Sequence, residues 1–159
     1  MVKIWGGQLH LSPVEKPATV LDVGTGSGLW ALEFGKTWLR SQKNPESRVL
    51  GVDISPSNPA FHVPGCAFKT MDVTEPWTLD TQFDFIHARG LPDFAPATRQ
   101  AVFDAMWDSL EPGGWLEITN WSLKLRSPDH STEGTRLEQW FFLLEKGKQA
   151  PAQVEAAAC

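Results

Sequence analysis

The stretch that decides the fold runs from Val20 to Trp30 and reads VLDVGTGSGLW. Three of its first four residues are apolar, which predicts a buried strand. Gly24, Gly26 and Gly28 then remove side chains where the backbone must turn sharply and a ligand must come close. The apolar residues that follow predict a helix, whose first backbone N–H groups have no partner within the helix. A strand, a glycine loop and a helix N-terminus together predict a polar cradle, although a glycine triplet alone also fits a tight turn that binds nothing.

The rest of the chain alternates predicted strands with helices or loops, so we expect an α/β fold with a mainly parallel sheet of about five strands. Two prolines after the second strand, Pro56 and Pro59, predict a loop there rather than a long helix. We predict a single domain over residues 1–150 and a disordered tail at residues 151–159. The predicted strands are Ala18–Val23, Arg48–Ile54, Cys66–Val73, Phe83–Ala88 and Trp115–Trp121, and the predicted helices are Gly28–Arg40, Thr98–Leu110 and Ser131–Lys148.

Polar side chains stand at the ends of the predicted strands. Asp53 ends the second strand, Asp72 ends the third, and His87 and Arg89 end the fourth. Each alone would more often be a cap, a turn former or a packing residue, but the carboxyl ends of parallel strands share one edge. An acidic residue after the second strand is placed to accept hydrogen bonds from ribose hydroxyls, and Asp72 can accept one from the exocyclic amine of a base. Asp22 can orient the glycine loop or accept a hydrogen bond from a ligand ammonium group.

The spacing of the glycines separates two classes of nucleoside site. A dinucleotide site needs a third glycine where this chain has Leu29, and no phosphate-loop lysine follows. The pattern instead resembles the first motif of class I S-adenosylmethionine-dependent methyltransferases. Over about residues 6–148, successive stretches are similar to the motifs of LaeA-type fungal methyltransferases: VLDVGTGSGLW (20–30), GVDISP (51–56), DVTEPW (72–77), FDFIHAR (83–89) and LEPGGWLE (110–117).

This resemblance implies a Rossmann-like class I methyltransferase fold, S-adenosylmethionine as the cofactor, and a place in fungal secondary metabolism. It also implies that the chain is shortened at both ends and lacks the usual last two strands. The fifth strand would then be an edge with open backbone groups, covered by the last helix, a second copy or a partner protein. The resemblance also implies roles for single residues. Gly24, Gly26 and Gly28 would contact the methionine part of the cofactor, and Asp53 would contact its ribose. Asp72 and Val73 would contact the adenine, and His87 and Arg89 would border the methyl-transfer cleft.

Three functions remain open from the sequence. The first is methyl transfer to an oxygen, nitrogen or carbon of a small molecule, achieved mainly by positioning, with His87 as the best candidate for an optional base. The second is a cofactor-independent cyclisation or isomerisation of a natural-product intermediate, in which His87, Arg89 and Asp93 polarise a carbonyl or move a proton. The third is a non-catalytic regulatory module that pairs with a partner through the open strand edge.

Composition argues against several other classes. The chain of 159 residues has a net charge of −5 and scattered basic residues, so it has no general attraction for nucleic acid or an anionic membrane. Its two cysteines, Cys66 and Cys159, form no disulfide framework, and Cys66 is expected to pack at a strand start. There is no 18-residue apolar run and no secretory signal, which favours the cytoplasm or the nucleus. No cluster of metal-ligating residues is visible, so we expect no metal.

Overall fold

The computed structural model describes residues 6–15, 17–40, 47–55, 63–121 and 127–149. The chain divides into two compact units, residues 1–120 and residues 121–159. The predicted single domain over residues 1–150 stays a prediction, and both the tail at 151–159 and the proline-containing crossover at 56–62 lie outside the described residues. The first unit contains β1 (Thr19–Val23), α1 (Leu29–Arg40), β2 (Arg48–Asp53), β3 (Cys66–Thr70), β4 (Phe83–Arg89), α2 (Pro96–Asp108) and β5 (Leu110–Thr119), and the second contains α3 (Arg136–Gln149).

The five strands form one sheet in the order β3-β2-β1-β4-β5, and every pairing is parallel. The predicted α/β fold with a parallel sheet of five strands is therefore confirmed. The strand order reverses between β1 and β4, where ligands of such sheets bind beyond the carboxyl ends. Val23 of β1 pairs with Val52 of β2 and with Ala88 of β4, so the loops after these three strands begin at the same edge.

Alternate residues of the strands fill two separate buried clusters, because successive side chains of a strand point to opposite faces. One cluster joins the sheet to α1 and the other joins it to α2. Cys66 is buried in the first cluster at the start of β3, as predicted, and burial raises the pKa of its thiol to about 11. The α1 cluster includes Val20, Trp30, Phe34, Val49 and Phe85, and the α2 cluster includes Leu21, Val23, Val52, Ile86, Val102 and Met106.

The fifth strand differs most from its prediction. It begins at Leu110 rather than at Trp115, because the Pro-Gly-Gly segment belongs to the strand instead of only ending the preceding helix. Phe83 pairs with Leu110 and Phe85 pairs with Trp115, so the extra residues of β5 form a bulge. A Cβ on Gly114 would lie 2.9 Å from the Glu111 carbonyl oxygen, which explains a glycine at this point.

Several other boundaries also differ, and three of these differences have a clear local cause. β3 ends at Thr70, earlier than predicted, because Asp72 Oδ1 accepts hydrogen bonds from the N–H and the hydroxyl of Thr74 at 2.9 and 2.7 Å and fixes a turn. Helix α2 begins earlier, at Pro96, since proline suits the first turn of a helix. Helix α3 begins later, at Arg136, because residues 131–134 form turns.

The segment before β1 lies across the α1 face of the sheet. The carbonyl oxygen of Leu9 accepts a hydrogen bond from Nε1 of Trp30 at 2.7 Å. Glu117 Oε2 of β5 accepts hydrogen bonds from the backbone N–H groups of Leu11 and Ser12 at 2.8 and 2.7 Å. The segment therefore ties the start of α1 to the fifth strand.

Within the described part of the chain, β4 is the one strand neighbour of β5, so β5 lies at the edge of the five-stranded sheet. This agrees with the expected edge position of the fifth strand. None of the described helices is long and apolar enough to cross a membrane.

Candidate functional site

A cavity of about 430 Å³ lies at the carboxyl ends of the strands. This volume falls within the range of roughly 300–1,000 Å³ that is typical of small-molecule sites. The loops after β1, β2, β3 and β4 all contribute to its walls. Its lining consists of Gly24, Asp53, Ile54, Met71, Asp72, Val73, Thr74, Gly90, Leu91, Pro92 and Phe94.

The glycine loop connects β1 to α1 at this edge. Gly24, Gly26 and Gly28 have φ values of 72, 53 and 71°, a region that other residues rarely adopt. The N–H of Gly24 donates to the carbonyl oxygen of Val52 at 2.9 Å, which ties the loop to β2. A Cβ on Gly28 would lie 2.6 Å from the ring of Phe68, whereas one on Gly26 would meet nothing within 4 Å. The loop is therefore packed tightly at Gly28 and open at Gly26.

Asp53 ends β2 at the wall of the cavity and is half-buried. Its Oδ2 accepts a hydrogen bond from the N–H of Gly26 at 2.9 Å, and its Oδ1 accepts one from the N–H of Ser55 at 3.0 Å. Each carboxylate oxygen can accept a further hydrogen bond. The carboxylate thus braces the glycine loop and keeps acceptor capacity for a ligand.

Asp72 and Val73 follow β3 and also line the cavity. Asp72 is exposed, and the hydroxyl and N–H of Thr74 lower the pKa of its carboxyl group. The carbonyl oxygen of Val73 accepts a hydrogen bond from Nε1 of Trp77 at 3.0 Å. Trp77 packs partly against the α2 cluster, so its indole supports the turn that carries Asp72 and Val73.

The other predicted site residues do not line the cavity. Asp22 and His87 lie together on the α1 side of the sheet, with His87 Nδ1 2.8 Å from Asp22 Oδ1. Asp22 is 3% exposed and His87 is 2% exposed. Arg89 is half-buried at the end of β4. Asp93 is exposed and forms an ion pair with Arg99 at 2.9 Å. Some of the predicted residues thus line the cavity and two form a buried pair, whereas Arg89 and Asp93 belong to neither set.

The loop after β4 is the part of the site that the sequence reasoning missed. Leu91, Pro92 and Phe94 supply apolar walls, and two side chains hold the loop in place. Asn120 Nδ2 donates to the carbonyl oxygen of Leu91 at 3.0 Å, and Arg99 Nη2 donates to that of Phe94 at 3.0 Å. The sequence signal that could have identified this loop is its place directly after the fourth strand, because ligands bind beyond the carboxyl ends of the strands in such sheets.

The cavity combines the first glycine of the loop, two carboxylates and apolar walls. Such a site suits a ligand with hydroxyl or amine donors and a flat apolar part. Within the residues that the structure describes, no group of three or more histidine, cysteine, aspartate or glutamate side chains is placed to hold a metal ion.

Comparison with known proteins gives the family. A family model described as a methyltransferase domain matches residues 8–153. Methyltransferase cpsF of Aspergillus campestris is 40% identical over 136 residues, which cover 79% of this chain and 46% of the relative. The secondary metabolism regulator laeA of Aspergillus fumisynnematus is 30% identical over 131 residues, which cover 81% of this chain and 33% of the relative. The chain therefore spans less than half the length of these curated relatives.

A solved structure, PKMT2 from Rickettsia typhi in complex with AdoHcy, superposes with a TM-score of 0.54 at 19% identity. The match covers 88% of this chain and 30% of that protein, and at this identity it supports the fold alone. The parallel five-stranded sheet agrees with this fold, and the predicted similarity to LaeA-type fungal proteins is confirmed by sequence. Because the family model covers most of its length, the chain belongs to the methyltransferase-domain family.

Proposed function

We propose that this chain binds S-adenosylmethionine and transfers its methyl group to a small molecule in fungal secondary metabolism. The observation that carries the proposal is the cavity at the carboxyl ends of β1 to β4, where Asp53 and Asp72 stand beside the glycine loop. Family membership and relatives described as a methyltransferase and as a secondary metabolism regulator support it.

The nucleoside part of the cofactor fits the residues of the cavity. The Asp53 carboxylate has free acceptor capacity for the two ribose hydroxyls, in the position that this fold uses for ribose. We propose that Asp72, which is exposed and lines the cavity beside Val73, accepts a hydrogen bond from the adenine amine. Ile54, Met71 and other apolar lining residues would enclose the base.

The methionine part of the cofactor would lie against the glycine loop. Gly24 lines the cavity, its φ of 72° favours glycine, and a Cβ there would lie 2.9 Å from Leu91 Cδ2, so glycine keeps this part of the cavity clear. We propose that Gly26 and Gly28 contribute to the same part of the site through the loop backbone, and that Asp22 supports the loop from below. The backbone N–H groups at the start of α1 make this end of the site favourable for a carboxylate.

When bound, S-adenosylmethionine supplies an electrophilic methyl group on its sulfonium sulfur. The residues of this chain contribute by holding the reacting atoms at about 3–3.5 Å and by excluding water. Arg89 ends β4 and is proposed to border the cleft where the methyl acceptor binds. The role of His87 as a general base stays a prediction, and its 2% exposure favours a role within the fold.

The two alternative functions have weaker support. Cyclisation or isomerisation by His87, Arg89 and Asp93 would need them around one substrate, but none of them lines the cavity. A regulatory function is supported by the similarity to laeA and by the position of β5 at the edge of the sheet. We propose that a second copy or a partner protein pairs with this edge, and light scattering on the purified chain would detect a dimer. A location in the cytoplasm or nucleus stays a prediction.

Isothermal titration calorimetry with S-adenosylhomocysteine tests the proposal. We expect micromolar binding by the chain and at least tenfold weaker binding by Asp53→Ala, because a hydrogen bond to a charged group contributes about 1.5–3 kcal/mol. Asp80→Ala is the matched control, since Asp80 is an exposed carboxylate before β4 that does not line the cavity. A folded chain that gives no binding heat across several temperatures would reject the proposed function.

A further inference from the structure

The buried pair of Asp22 and His87 spans the point where the strand order reverses. The two residues are direct neighbours in the register of β1 and β4, and both are almost completely buried. Burying such a pair is costly unless its polar atoms have hydrogen-bond partners. His87 Nδ1 and Asp22 Oδ1 lie 2.8 Å apart, and a hydrogen bond between them, with the imidazole N–H donating to the carboxylate oxygen, gives each of these atoms a partner.

The second oxygen of Asp22 is bonded to the glycine loop. The hydroxyl of Thr25 donates to Asp22 Oδ2 at 2.6 Å, and Thr25 is buried between the first two loop glycines. The backbone of Thr25 is also held, because its N–H donates to the carbonyl oxygen of Val52 at 3.0 Å and its carbonyl oxygen accepts from the N–H of Gly28 at 2.9 Å. Asp22 therefore connects His87 to the glycine loop, because one of its oxygens is bonded to His87 and the other to Thr25.

The ring of His87 is stacked on the start of helix α1. The rings of His87 and Trp30 lie 3.8 Å apart at an interplanar angle of 5°, and Trp30 is buried. Nε1 of Trp30 is fixed by its hydrogen bond to the Leu9 carbonyl oxygen. His87 thus contacts groups on both sides of the loop, Asp22 before the glycines and Trp30 after them.

From this arrangement we infer that His87 is a positioning residue: through its hydrogen bond to Asp22 and its stacking on Trp30, it holds the Thr25-containing glycine loop in the conformation that binds the cofactor. The inference rests on the proposed function for the identity of the ligand. His87 does not line the cavity, and it is connected to the loop through these two neighbours. Its contribution is therefore to cofactor affinity rather than to proton transfer.

Two pairs of variants separate the hydrogen bond from bulk stability. His87→Asn keeps an N–H donor near the Nδ1 position, whereas His87→Phe keeps a stacking ring and removes the donor. Thr25→Ser keeps the hydroxyl, whereas Thr25→Val removes it with little change of shape. Thr37→Val is the matched control, because the Thr37 hydroxyl donates to the Glu33 carbonyl oxygen within α1, away from the loop.

The first measurement needs no ligand: amide hydrogen exchange at Gly24 and Gly28, whose N–H groups are hydrogen-bonded. We expect Thr25→Val and His87→Phe to speed this exchange at least tenfold. Thr25→Ser and Thr37→Val should stay within about threefold of the unmodified chain. His87→Asn, which keeps the donor but loses the stacking on Trp30, should lie between them and His87→Phe. A role in general stability alone would instead speed exchange equally throughout β1 and β4.

The second measurement is the affinity for S-adenosylhomocysteine in the same variants. We expect at least tenfold weaker binding in Thr25→Val and His87→Phe, and no further loss when the two are combined. Unchanged loop exchange and affinity in both variants would overturn the inference, and so would a His87→Asn variant as impaired as His87→Phe. If the unmodified chain binds no S-adenosylhomocysteine but loop exchange responds as expected, the proposed function fails while the positioning role stands.

Discussion

On one side of the glycine loop an aspartate is buried, and on the other side two aspartates face an open cavity. Asp22 is 3% exposed, and both of its oxygens are bonded to protein groups, His87 and Thr25. Asp53 and Asp72 line the cavity, and their partners are groups of the adjacent turns. The comparison separates two roles for a carboxylate. When its oxygens are bonded to buried protein groups, it shapes the site, and when its oxygens can still accept hydrogen bonds at a cavity, it is available to a ligand.

The largest effect should come from the buried side. Asp22→Ala leaves the His87 N–H and the Thr25 hydroxyl without their buried acceptor, so we expect unfolding free energy to fall by about 3–5 kcal/mol. Asp53→Ala removes two hydrogen bonds at the cavity wall and should lower it by about 1 kcal/mol. Urea unfolding followed by circular dichroism measures both values. If both variants lost the same amount of unfolding free energy, the result would contradict the difference in role between buried Asp22 and Asp53 at the cavity.

A smaller difference is expected within the glycine loop itself. Alanine at position 26 or 28 must adopt a positive φ, at a cost of roughly 1–2 kcal/mol. At Gly28 the new Cβ also meets the Phe68 ring, which adds about 1–3 kcal/mol of overpacking, whereas at Gly26 it meets open space. Thermal or urea unfolding should therefore rank Gly28→Ala well below Gly26→Ala in stability. A reversed ranking would show that the loop is not packed against β3.

The smallest effect concerns the pKa of Asp72. The Thr74 hydroxyl and N–H lower this pKa, so the folded state binds a proton here less readily than the unfolded state. The stabilisation is present above the ordinary aspartate pKa and is lost as the pH falls through the lowered value. In an NMR titration, Asp72 should titrate below an ordinary aspartate, and Thr74→Val should raise its pKa part of the way, since the backbone bond remains. An unchanged pKa in Thr74→Val would exclude the hydroxyl as the main cause.

Much of this arrangement was predictable from the sequence, because parallel strands place their ends at one edge. The cavity positions of Asp53, Asp72 and Gly24 follow from that rule alone. The burial of His87 does not follow from this rule. It depends on which face of β4 packs under α1 and on Asp22, a partner 65 residues away in the chain. Two other features also depend on contacts between distant segments of the chain. They are the bulge in β5 and the part of the cavity wall that the loop at residues 90–94 forms.

The central claim is that the cavity at the carboxyl ends of β1 to β4 binds the cofactor. The most direct test is an NMR titration of the isotope-labelled chain with S-adenosylhomocysteine, with backbone amide shifts assigned to residues. We predict that the largest saturable shifts fall at Gly24, Gly26, Asp72, Val73 and Leu91, with little change along the exposed face of α2. Saturable shifts confined to other parts of the chain, or none at millimolar ligand, would contradict the claim.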